Sequence, residues 1–144
     1  MNRFFFLIPV ILLACNKDKN KPDSGETFQK LQSRMWKEDS IVYIYSDGRK
    51  EVSIPPTMHS EYLKFTSTHI QYYYSFNLEP PALLESHPAI YKQPNILEAW
   101  HPAITSGPPS YKIEIDSVSE TRLRCNFLNT PGYIKARECY YHAY

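Results

Sequence analysis

The chain has 144 residues, enough for one domain with a real core, and its 16 basic and 15 acidic side chains nearly cancel. That balance excludes the electrostatic footprint of a nucleic-acid binder. Twelve tyrosines against four glycines favour sheets with one wet and one dry face over a helical bundle.

At the N-terminus, Arg3 precedes an apolar run from Phe4 to Ala14, the pattern of an export signal. The run is 11 residues long and contains Pro9, whereas a membrane-spanning helix needs about 20 apolar residues. Leu12-Leu13-Ala14-Cys15 resembles the lipobox of bacterial lipoproteins. The resemblance implies cleavage before Cys15 and acylation of Cys15 by several chains. It also implies attachment to a membrane of the bacterial cell envelope, the outer membrane first, on its periplasmic or its surface side. Residues 1–14 then form the signal peptide and residues 15–25 a lipidated tether. From Asn16 to Gly25 the chain offers nothing to bury, so a solvated segment is expected, with its lysines within reach of anionic headgroups. The folded domain is expected over residues 26–144.

The domain opens with Ser24-Gly25-Glu26-Thr27 as capping residues and Phe28 and Leu31 three apart, a helix of one or two turns. From Met35 the period changes to two. Trp36, Ser40, Val42 and Ile44 are expected on one face, and Ile41, Tyr43 and Tyr45 on the other. Asp47-Gly48 signals a hairpin turn into Val52–Ile54, which Pro55-Pro56 ends. Further strands are expected at Tyr62–Thr66, Ile70–Phe76, Ala89–Lys92, Ile96–Trp100, Tyr111–Asp116, Thr121–Leu128 and Ile134–Tyr141. About eight short antiparallel strands at this spacing predict a mostly β fold, a small up-and-down barrel, with a β-sandwich as the alternative. Residues 77–110 carry seven prolines, so ladder pairing there must be short or at an edge.

Consuming Cys15 leaves Cys125 and Cys139 as an even pair in an oxidising compartment. They lie in runs flanking Asn129-Thr130-Pro131-Gly132, so an antiparallel hairpin sets them face to face. A disulfide is expected between them, and two separate buried thiols are the alternative.

Several features of this pattern resemble the lipocalin-like domains of bacterial lipoproteins. They are the short helix, Trp36 opening the first strand, and Leu63-Lys64-Phe65-Thr66 leading into the tyrosine-rich strand. The Tyr111-Lys112-Ile113-Glu114-Ile115 run and a last strand ending in tyrosines complete the set. Lipocalins place a glycine two residues before the tryptophan, where this chain has Arg34. They also place an arginine on a late strand against the tryptophan, for which Arg124 and Arg137 are the candidates. The resemblance implies a small, largely apolar ligand held inside a barrel. Trp36, Tyr62, Phe65, Tyr72, Tyr74, Ile113 and Phe127 are the expected interior residues. An envelope protein docking on the tyrosine- and proline-rich loops is the alternative partner.

Catalytic machinery is not visible. The five histidines form no H-x-x-H, H-x-x-x-H or H-E-x-x-H pair, and the cysteines lack zinc-knuckle spacing. His87 and His101 begin an exact repeat, His-Pro-Ala-Ile, and read as exposed loop histidines before proline rather than a metal site. Glu38 and Asp39 are adjacent, so a strand sends them to opposite faces, which suits solvation and not paired acid–base work. Glu79, Glu85 and Glu98 lie near the prolines and could converge only through the fold. No catalytic residue, cofactor or metal is therefore assigned. Tyr72-Tyr73-Tyr74 must divide between the two faces of a strand, one set packing inward.

Overall fold

The computed structural model describes residues 24–92, 94–104, 106–128 and 133–144. The expectations for the signal segment, Cys15, the tether up to residue 23 and the turn at 129–132 lie outside the described residues, while Ser24 and Gly25, expected in the tether, open the helix. Among those described are one helix and nine strands. Helix α1 spans Ser24–Gln32, β1 Met35–Tyr45, β2 Lys50–Ser53, β3 His59–Phe65 and β4 His69–Phe76. Next come β5 Ala82–Lys92, β6 Ile96–Ala99, β7 Tyr111–Val118, β8 Arg122–Leu128 and β9 Ile134–Ala143.

Every pairing is antiparallel, and β9 returns to pair with β1 along almost its whole length. That pairing closes a barrel of eight strands, β1-β3-β4-β5-β6-β7-β8-β9, with β2 attached to the outer half of β1. Closure rules out the sandwich. It also removes the sheet edges that an open arrangement would expose. At the β1–β2 turn Gly48 has φ of 86°, a conformation open to glycine at little cost, and its N–H donates to the Tyr45 carbonyl.

Two strands serve different neighbours along their length. On one side, β1 pairs first with β3 through Met35–Lys37 and then with β2 through Ile41–Ile44. In the same way β5 pairs with β4 up to Pro88 and with β6 from Ala89. Pro88 thus stands where one ladder ends and the next begins, the place in a central strand where a missing N–H costs least. This is how the proline-rich stretch forms a longer strand than its composition predicts.

A bulge between Glu38 and Ser40 corrects the face assignment of β1. Directly opposed residues share a face, and Glu38 opposes Tyr141 while Ile41 opposes Cys139. Trp36, Glu38, Ile41 and Tyr43 therefore all face inward, because the extra residue resets the period.

One pole of the barrel is plugged. Leu31, Trp36, Phe65, Ile70, Leu97, Ile113 and Leu123 are buried there in one apolar cluster. The Trp36 indole N–H donates to the Leu31 carbonyl at 3.0 Å, and Phe28 stacks on Tyr91 at 4.6 Å. A helix this short gains most of its stability from such packing rather than from its own hydrogen bonds. The arginine against Trp36 is Arg34, 5.9 Å from the ring, and its guanidinium also holds the carbonyl and carboxylate of Glu120. Neither late-strand candidate reaches the tryptophan. Arg124 alternates with Cys125 and lies outside over Tyr140, and Arg137 points inward but over Phe127 at the other pole.

Candidate functional site

The unplugged pole opens into a cavity of about 330 Å³. It is reached between the ends of β1, β4, β6 and β8 and the starts of β3, β5, β7 and β9. Its walls follow from strand parity. Tyr72 shares a face with Ile70, Tyr111 with Ile113, Phe127 with Cys125, and Arg137 with Cys139 and Tyr141, so each apolar strand delivers one further side chain to the mouth.

Of the seven residues expected inside, Trp36, Phe65 and Ile113 form the plug below the cavity, at 1 % exposure or less. Tyr72 and Phe127 line its walls. Tyr74 stands at the rim, where its hydroxyl meets His59. Tyr62 borders the cavity, but period two turns its ring away from Glu61 and Leu63 to stand edge-on to Tyr144 at 4.8 Å.

Apart from Tyr72, the polar half of the site was not among the expected residues. The hydroxyls of Tyr72 and Tyr111 lie 2.8 Å apart, and the Tyr111 hydroxyl is 3.0 Å from Nδ1 of His87. His87 Nε2 in turn is 2.7 Å from a Glu85 carboxylate oxygen at the surface. His87 is therefore not an exposed loop histidine: it lies on β5, 7 % exposed, with its ring against that of His101 at 5.5 Å. The two repeats thus meet through their histidines, though one lies on a strand and the other in a loop.

A count of protons orders this chain. Glu85 as a carboxylate only accepts, so His87 Nε2 carries a hydrogen. With one proton on the ring, Nδ1 accepts from Tyr111, whose oxygen then accepts from Tyr72. Tyr72 offers only lone pairs to the cavity in that state. Burial holds both phenols protonated, Tyr111 pushed up to about 12 and Tyr72 further, with Tyr111 adding to the rise at Tyr72. The hydrogen bond from His87 lowers the Glu85 carboxyl.

Across the cavity Glu38 faces inward. Burial, and then the neighbouring Glu61, push its carboxyl up to about 7 against the pull of Arg137. Its neighbour Asp39 points outward to Arg122 at 2.7 Å and His142 at 2.5 Å. The pair divides as expected, but the inward member is a cavity residue and not a solvated one. Arg137 lies over the Phe127 ring at 5.0 Å, and its Nε is buried without a hydrogen-bond partner. Glu85 and Glu98 do not converge, because Glu98 is paired with Lys112 at 3.0 Å. Among the described residues no three metal-ligating side chains come together.

Cys125 and Cys139 are in direct register on β8 and β9, as expected, but the predicted disulfide is not formed: both are free and buried. Opposed strand positions hold Cβ atoms about 4.5–5.5 Å apart, and a bridge draws them to about 3.8 Å. Burial also pushes the Cys139 thiol up to about 12 and Cys125 well above its ordinary value, which keeps the thiolate scarce.

The sequence carried signals for the missed residues. Glu38 is in phase with Trp36, Tyr111 with Ile113, and Arg137 with Cys139, so parity alone places all three inside. Comparison with protein-family models, with curated proteins and with solved structures gives no match.

Proposed function

We propose that the chain is a non-enzymatic binding protein of the bacterial cell envelope, anchored by a lipid on Cys15, that holds a small, largely apolar ligand in the mouth of its barrel. The observation that carries this reading is the cavity of about 330 Å³ inside a barrel plugged at one pole, within the size range of ligand sites. Tyr72, Phe127, Ile41 and Leu63 give it an apolar wall, and its polar groups gather in a few places, the usual division between affinity and orientation. The lipobox supports the address. Full-length protein should take up a fluorescent fatty acid and release a bound lipid on solvent extraction. An empty protein in native mass spectrometry, with no uptake, would refute it. Cys15→Ser should abolish labelling by radioactive palmitate.

A second reading, docking of an envelope protein, is favoured by the β4–β5 hairpin. Leu78 is 95 % exposed there, and Leu83 and Leu84 are exposed beside it. The proline-rich loops cannot be deleted to test it, since β5 and β6 are barrel staves. Leu78→Ser with Leu83→Ser should instead abolish crosslinking to a partner while leaving ligand uptake intact, since neither side chain lines the cavity.

A further inference from the structure

Among the described residues, Arg34, Arg49, Arg122 and Arg124 each hold a carboxylate. Arg137, the arginine that lines the cavity, has no ion pair there, and its Nε lacks a partner. A guanidinium keeps its charge at any pH the protein meets, and leaving it partly desolvated and unpaired is costly. Its field reaches the Tyr72 and Tyr111 phenols on one side and Glu38 on the other.

We propose that Arg137, with the paired hydroxyls of Tyr72 and Tyr111, receives the carboxylate head of an amphiphilic ligand whose apolar part lies against Phe127, Ile41 and Leu63. This deepens the binding reading above and rests on it. A planar guanidinium offers a carboxylate two parallel N–H donors, and a phenol hydroxyl adds a third. The Tyr72 hydroxyl can turn from Tyr111 to the ligand while the Tyr111 hydroxyl stays on His87 Nδ1.

Glu38 is the group that stands against an anion, and it is also the one that can give up its charge. It is faced by Glu61 from β3, Tyr72 from β4, Cys125 from β8, and Arg137, Cys139 and Tyr141 from β9. Of these only Arg137 is a cation. Protonation of Glu38 leaves Arg137 as the uncompensated charge on the inner wall, while Glu61 and Glu85 stay exposed to water. A bound carboxylate therefore favours the protonated form of Glu38, and binding takes up a proton. The sign follows: while the ligand's own carboxyl stays ionised, affinity is flat and highest below about pH 7, where Glu38 is already protonated, and falls as pH rises above it. A cationic ligand drawn to Glu38 would show the opposite slope.

Isothermal titration of the full-length protein with decanoate, decanol and decylamine tests this. Decanoate should bind tightest and weaken above about pH 7, by as much as roughly tenfold per pH unit. Arg137→Gln should weaken decanoate by about tenfold to a hundredfold and leave decanol unchanged. Glu38→Gln should flatten the decanoate pH profile, and this carries the test if Arg137→Gln loses decanol as well. Decanol binding as tightly as decanoate, or decylamine preferred with affinity rising with pH, would overturn the head-group assignment and leave the apolar-ligand reading intact. Failure of all three probes would overturn both.

Discussion

Glu38→Gln is the most informative single change for stability. In the folded barrel the Glu38 carboxyl titrates near about 7, against 4.5 when unfolded, so folding is opposed once the group must ionise. At about 1.36 kcal/mol per pH unit, that gap sets an upper limit of roughly 3 kcal/mol. Glu38 is only partly buried and water reaches the mouth, so about 1–2 kcal/mol is the working figure. The sign is fixed by linkage: the native state binds more protons than the unfolded chain between pH 4.5 and about 7. Stability is therefore lost across that interval as pH rises. Glutamine keeps the shape of the protonated carboxyl and cannot ionise. Urea unfolding should show Glu38→Gln stabilising by about 1–2 kcal/mol near pH 8 and by little near pH 4. Equal effects at both values, or a loss at the higher one, would refute the account of Glu38 as an inward, desolvated acid.

Three other outcomes follow from the packing. Trp36→Ala should cost about 3–5 kcal/mol, since it empties the plug and orphans the Leu31 carbonyl; a cost below about 1 kcal/mol in urea unfolding would count against the plug. Cys125 and Cys139 should resist alkylation in the native protein and react at once in denaturant, two thiols per chain; a mass showing them joined would contradict their free state. Leu78 adopts φ of 65° and is almost wholly exposed, so Leu78→Gly should raise stability by about 0.5–1 kcal/mol, and a loss would show that its side chain is held.

Strand parity made most of the barrel legible. Leu123, Cys125 and Phe127, or Ile113 and Ile115, alternate without interruption, and their neighbours across the sheet do the same. The failures occur where the period breaks. The bulge after Glu38 adds one residue and moves Ile41 and Tyr43 to the inner face, and nothing in Glu38-Asp39-Ser40 announces it. Pro88 hid the length of β5, because a strand that changes partner at the proline pays little for the missing donor. The polar pole of the cavity was harder still. Arg137 and His87 look like surface residues by composition, and only their parity with Cys139 and Ala89 turns them inward. Which charges meet across a closed barrel depends on closure itself, a contact between β1 and β9 that no local window contains.

The position of α1 gives the barrel a direction. Chain entry and cavity mouth lie at opposite poles, with the Leu31–Trp36 plug between them. The segment that precedes Ser24 therefore joins the barrel at the end away from its opening. A pull on that side loads the helix and the tryptophan before any residue of the mouth. Under the proposed function, attachment and ligand entry would then fall at opposite ends of the barrel.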